Sequence, residues 1–96
     1  MTNFEKAVFS NTLDCYGMDS QIRIAEEELN ELQKELFKWQ RGEENRNHIL
    51  EEMADVSIVF DQLKMMFNIS DGELQKKRTA KINRLVDRLN SAVLER

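Results

Sequence analysis

An all-α domain of four helices is the fold class that this 96-residue chain predicts, and three observations predict it. Charged residues make up 33% and hydrophobic ones 41%, with Gly 3 and Pro 0, a composition suited to long helices and unsuited to a turn-rich β fold. Two segments repeat apolar residues at alternating steps of three and four, the period of a helix that buries one face. Ser70 followed three positions later by Glu73 is a capping-box signature, which opens one more helix.

The first helix runs from Phe4 to Leu13, with Phe4, Ala7, Val8 and Phe9 at helical spacing, and Gly17 interrupts it before a turn at Met18-Asp19-Ser20. The second, from about Ser20 to Gln40, carries the stripe Ile22, Ala25, Leu29, Leu32, Leu36 and Trp39. Arg41 to Asn47 has no apolar residue and includes Gly42, so it is a polar loop, with Asn47 as the N-cap of the third helix. That helix, about His48 to Phe67, repeats Ile49, Met53, Val56, Phe60, Leu63 and Phe67 and packs against the second. After the break at Asn68 to Glu73, the fourth continues to about Leu94.

A chain of this length makes one domain, residues 1–96, which buries only about two-thirds of its unfolded surface. Its core is marginal, and assembly as a homodimer or homotetramer is the expected remedy. The net charge of −4 argues against a nucleic-acid partner held through its phosphates. The single cysteine, Cys15, excludes an internal disulfide and is expected to be structural, while His48 is a surface or capping residue. No apolar run approaches the roughly 18 residues of a membrane span, and no signal-peptide pattern is seen, so neither a membrane partner nor export is expected and the expected location is cytoplasmic.

The functional clue lies in two acidic motifs, Glu28-Leu29-Asn30-Glu31 and Glu52-Met53-Ala54-Asp55. Each places two carboxylates three residues apart, on one face of a helix. With Val56 at zero on the third helix, Leu63 falls at roughly −20°, Glu52 at roughly −40° and Val59 at roughly −60°, so Glu52 lies among apolar neighbours. ExxE spacing is frequent on any charged helix, and Glu28 with Glu31 alone fits a solvated face equally well. Glu52 is different, because a carboxylate in an apolar setting is costly unless paired, protonated or bound to a metal. Four converging carboxylates repel one another unless cations neutralise them, and such hard oxygen ligands suit magnesium, manganese or calcium better than zinc. One Cys and one His are too few for a thiolate or imidazole zinc site. A ferritin-like pair of Glu-x-x-His motifs is lacking, since Asn45 stands three residues before His48.

The run Glu27-Glu28-Leu29-Asn30-Glu31-Leu32, then 20 residues between Glu31 and Glu52, then Glu51-Glu52-Met53-Ala54-Asp55-Val56, resembles the all-α nucleoside triphosphate pyrophosphohydrolases related to MazG. That group also includes dimeric dUTPases and dCTP pyrophosphatases. The resemblance extends from about Gln21 to Arg84, and Lys81-Ile82-Asn83-Arg84 is similar to the basic, amide-bearing segment that these enzymes place near their substrate. It implies a MazG-like subunit that hydrolyses a nucleoside or deoxynucleoside triphosphate to monophosphate and pyrophosphate, by attack of water at the α-phosphorus. It further implies that Glu28, Glu31, Glu52 and Asp55 bind Mg2+, or Mn2+ in its place. Glu28 or Glu31, or Glu27 from behind them, would then orient or deprotonate the water.

Lys38, Lys77, Arg78, Lys81, Arg84 and Arg88 are the candidate phosphate contacts. With Leu74 at zero on the fourth helix, Lys81 falls at roughly −20°, beside Leu85 at roughly 20°, which singles it out. The preferred substrate-binding set is Lys38, Trp39, Lys81, Asn83 and Arg84, with Trp39 either in the core or stacked on a base. The five methionines are core filler. Two non-catalytic alternatives remain on the same residues. One is a helical dimerisation module in which Glu52 sets register, and the other a nucleotide-binding module that holds the metal without turnover.

Overall fold

Each helix begins or ends where the chain supplies a partner for backbone groups that the helix itself leaves unpaired. The computed structural model describes residues 1–95 and contains α1 (Asn3–Tyr16), α2 (Met18–Gln40), α3 (Arg46–Met66) and α4 (Asp71–Leu94), with no strand among the described residues. At the start of α1, Thr2 and Glu5 form a reciprocal capping box, both hydrogen bonds being 3.0 Å. The turn expected at Met18 to Ser20 is absent. Gly17 alone joins α1 to α2, at a φ of +84° that favours glycine. Its N–H donates to the Leu13 carbonyl at 2.8 Å and its own carbonyl accepts from the Gln21 N–H at 3.2 Å. One residue thus completes both helices, and α2 starts two residues earlier than its apolar pattern implies.

The other two junctions share one device. After α2, Gly42 at φ +93° lets the Gly42 N–H reach the Trp39 carbonyl and the Glu43 N–H reach the Lys38 carbonyl, a Schellman closure. After α3, Asn68 takes the same left-handed position at φ +52°, and the Asn68 and Ile69 N–H groups reach the Met65 and Lys64 carbonyls. α4 opens with the expected capping box of Ser70 and Glu73. The N-cap of α3 is Asn45, not Asn47, and its side chain does not cap. The Asn45 Nδ2 instead donates to the backbone carbonyl of Glu35 at 2.8 Å and to its carboxylate at 2.6 Å. This polar clasp draws the loop back onto α2 and so starts α3 early.

α2 and α3 pack as an antiparallel hairpin, and α1 leans on both. Phe9, Ala25 and Val59, one from each of α1, α2 and α3, are the buried apolar residues among those described. α4 packs against none of the other three helices. The Lys64 ammonium fixes its first turn through the Asp71 carboxylate at 2.7 Å, and beyond that all of α4 except Leu74 is exposed.

The α2–α3 packing is as expected, but the buried faces are rotated. Leu29, Leu36 and Trp39 are 50%, 47% and 63% exposed, and Met53, Phe60 and Phe67 are about half exposed. The seam is built from Gln21, Ala25, Glu28, Leu32 and Glu35 of α2 against Ile49, Glu52, Val56, Val59 and Leu63 of α3. Both rows keep the helical step of three and four, but each brings carboxylates inside.

The Asn45 hydrogen bond, opposed by burial and aided by Lys38, holds the Glu35 carboxyl below its ordinary value of 4.5. A carboxyl lowered on folding stabilises the fold above its unfolded value, and the contribution is lost as pH falls through the lowered one. Asn45→Ala is expected to lower the thermal midpoint at neutral pH by about 5 °C. Scanned below pH 4.5, the variant should also lose stability less steeply than the parent. Parallel acid profiles would show that the clasp is not what Glu35 contributes.

Candidate metal centre

The seam row of α2 places Gln21, Glu28 and Glu35 seven residues apart, two helical turns each, all turned towards α3. Opposite the middle of that row, α3 presents Glu52 and Asp55, one turn apart. Glu28, Glu52 and Asp55 each offer one carboxylate oxygen, and the three oxygens lie within 4.8 Å of one another. Glu28 and Glu52 are half-buried and Asp55 is exposed, so the cluster has a floor and an open side. Oxygens ligating one octahedral magnesium stand about 3 to 4 Å apart, and those around calcium somewhat further. The spacing fits one hard divalent cation.

The electrostatics match. Burial, followed by the charges of Asp55 and Glu52, raises the Glu28 carboxyl above its ordinary value. Burial, followed by Asp55, Glu31 and Glu35, raises Glu52. Among the described residues no Lys, Arg or His forms an ion pair with Glu28, Glu52 or Asp55. The Oε2 of Glu52 is buried without any hydrogen-bond partner. A buried carboxylate oxygen with neither donor nor cation is expensive, and a metal ion satisfies it, whereas a neighbouring carboxylate does not.

Glu31, one turn beyond Glu28, stays outside the oxygen triangle. It is exposed and pairs with Lys34 at 3.3 Å, although its charge reaches both Glu28 and Glu52. Lys38 is paired with Glu35 at 3.3 Å. Trp39 stands on the rim of a separate groove of about 510 Å³, formed with the loop through Asn45 and His48. Lys81, Asn83 and Arg84 are exposed on α4, which does not approach the carboxylates of its own chain. Three of the four expected ligands therefore converge, and the expected α4 cations do not join them within one subunit.

Sequence reasoning missed Gln21, Glu35 and Asn45. The signal was available for the first two, since positions 21, 28 and 35 repeat a polar residue at the heptad step. A groove of about 400 Å³ opens beside the cluster, with Glu28 and Asp55 at one end and Gln21 at the other. No helix among the described residues is long and apolar enough to cross a membrane. Comparison with protein-family models, curated proteins and solved structures finds no match to this chain.

A cation that binds only the folded cluster should stabilise it by about 2.7 kcal/mol at a concentration one hundred times its Kd. Added Mg2+ or Mn2+ is therefore expected to raise the thermal midpoint. Glu52→Gln should raise the midpoint of the cation-free protein, by removing one of the crowded charges, and abolish the cation-dependent increment. An increment that survives the substitution would place the cation elsewhere.

Proposed function

We propose that this chain is a magnesium-dependent nucleoside triphosphate pyrophosphohydrolase of the MazG-like all-α type. The observation that carries the reading is the triangle of Glu28, Glu52 and Asp55, unpaired by any basic group among the described residues and open on one side to a groove. Three converging carboxylates without a cation are a poor way to build a hairpin and a good way to hold a metal that a triphosphate shares.

Magnesium bound there would gather the triphosphate oxygens, polarise the phosphorus and lower the pKa of water. Glu28 and Glu52 come from facing helices, so the hairpin fixes their separation, and Asp55 closes the set from the solvent side. Glu31, left outside the triangle and one turn along α2, is the group we assign to orient the attacking water and accept its proton. The oxygen of that water bonds to the α-phosphorus, the α–β bridging bond breaks, and the bridging oxygen leaves with pyrophosphate. The leaving group needs cations, and the two lysines of α2 are already engaged: Lys34 with Glu31, and Lys38 with Glu35.

Self-association supplies them. α4 is a 24-residue amphipathic helix with no partner, exposing Ile82, Leu85, Val86, Leu89 and Val93. A helix in a protein takes most of its stability from packing its amphipathic face, and exposed apolar stripes mark interaction surfaces. α4 carries six Lys and Arg against three Asp and Glu, and α2 the reverse. Opposite charge favours α4 of one copy lying over the acidic hairpin of another, which brings Lys81 and Arg84, with Asn83, towards the phosphates. Leu29, Leu36 and Phe60 provide apolar surface on the hairpin for such packing.

Pyrophosphate release from a panel of nucleoside triphosphates should require Mg2+ and fall about a hundredfold or more in Glu52→Gln. Cation binding without release from any triphosphate would leave a binding module. Sedimentation should show a dimer or tetramer, and Leu89→Asp should yield monomers. A fully active Leu89→Asp monomer would remove the trans contribution of Lys81 and Arg84.

A further inference from the structure

The groove beside the carboxylates has a wall that the metal chemistry does not use. Tyr16, the last residue of α1 and the only tyrosine of the chain, lines it and is 64% exposed. A single exposed aromatic residue needs no explanation, but Tyr16 does not stand alone. Ile24 of α2 and Ile58 of α3 are 38% and 45% exposed and line the same groove, with the buried Val59 between the helices beneath them. Three large apolar side chains, one from each of α1, α2 and α3, therefore stand bare around one hollow.

The tyrosine is held in place by its backbone. Gly17 turns the chain from α1 into α2 within one residue, its N–H donating to the Leu13 carbonyl at 2.8 Å and its carbonyl accepting from the Gln21 N–H at 3.2 Å. Tyr16 is thus anchored at the joint of two helices. A tyrosine ring has only two torsions left to order, so it offers contact area at little entropic cost.

The other end of the groove is formed by Glu28 and Asp55, which with Glu52 make the carboxylate triangle. The volume of about 400 Å³ lies within the usual range of small-molecule sites. An occupant suited to both ends is flat and apolar at one and carries anionic oxygens, shared with a cation, at the other. An inorganic polyphosphate meets the carboxylate end and leaves the hollow empty. A nucleotide joins the two parts.

We propose that Tyr16 is the base-stacking residue of this groove, holding with Ile24 and Ile58 the planar ring of a nucleotide whose phosphates lie at Glu28, Glu52 and Asp55. The inference rests on the triphosphate reading for the phosphate end and on the exposed ring for the base. Stacking tolerates any base, since every base has a π-face. Tyr16 therefore selects nucleotides against polyphosphates that carry no base.

The test has two readouts on the 96-residue chain. In the first, the chain is labelled with 3-fluorotyrosine, which gives one fluorine resonance because Tyr16 is the only site. Deoxyadenosine titrated to millimolar concentration without metal should shift that resonance, and deoxyribose should not. By equilibrium dialysis, Tyr16→Phe should bind deoxyadenosine as the parent does, and Tyr16→Ala about tenfold more weakly. The exposure of the side chain leaves the fold little to lose in either variant. In the second, deoxyadenosine triphosphate is assayed with Mg2+. Tyr16→Ala should raise KM about tenfold and keep kcat, while hydrolysis of tripolyphosphate, slow in the parent, should be unchanged by the substitution. A resonance that deoxyadenosine does not move, or undiminished binding by Tyr16→Ala, would overturn the assignment, whatever the turnover. A resonance that moves with protein concentration and not with nucleoside would overturn it too, and place Tyr16 in a contact between copies. Nucleoside binding that depends on Tyr16, with no hydrolysis of any triphosphate, would instead overturn the pyrophosphohydrolase reading and leave a base-binding groove.

Discussion

Carboxylates in the seam of the α2–α3 hairpin are the constraint on which the rest of the molecule depends. Three of them, Glu28, Glu35 and Glu52, stand on the faces that the two helices turn towards each other, and a seam between two helices is where charge is hardest to keep. The chain resolves this in two different ways. Glu35 is neutralised from within: Asn45 donates to it, Lys38 pairs with it, and the His48 ring lies 3.9 Å away. Its carboxyl is accordingly lowered, and the same contacts close the hairpin by holding the loop to α2. Glu28 and Glu52 receive no such help, their carboxyls are raised, and one oxygen of Glu52 is buried without a partner. One end of the seam is therefore neutralised by the chain itself, and the middle is not.

The existence of the four helices and the start of α4 were legible in the sequence because periodicity and caps are local. Ser70 with Glu73 opens α4 where expected, and the steps of three and four along α2 and α3 identify a hairpin. What local pattern cannot decide is which of two adjacent faces turns inwards. Hydropathy assigns the inner face to Leu29, Leu36 and Trp39, yet the structure turns Glu28 and Glu35 there and leaves those three half exposed or more. The discrepancy has a physical source. A periodicity argument assumes that each helix has one partner, whereas the apolar residues of α2 and α3 cover more surface than α1 and one opposing helix can bury. Asn45 was misplaced for a related reason. Two asparagines flank the start of α3, and only the closure at Gly42, which returns the chain towards α2, favours the earlier one.

The site was partly legible on the same terms. Glu28, Glu52 and Asp55 converge as their spacing implies, because residues three apart share a face and antiparallel helices bring two such faces together. Glu31 belongs to the same motif but points further round α2, where Lys34 takes it up. Gln21 was missed, since the polar heptad row that it shares with Glu28 and Glu35 marks a seam only once its burial is known. Lys81, Asn83 and Arg84 could be singled out by residue type but not located, because no helix contact among the described residues brings α4 to the hairpin.

These mismatches point the same way. The hairpin has unpaired anions, half-exposed apolar rows and a net acidic α2, while α4 has unpaired cations, an exposed apolar stripe and no helix to lie against. Each surplus on one element is the complement of a deficit on the other. The short connection through Asn68, locked by two backbone hydrogen bonds and by the Lys64–Asp71 pair, directs α4 away from its own hairpin. Folding it back would cost that closure, whereas exchanging it with a second copy would not. In such an exchange the apolar contacts would supply the affinity and the charges the register, so the assembly that stabilises the subunit would be the same event that brings cations to its carboxylates.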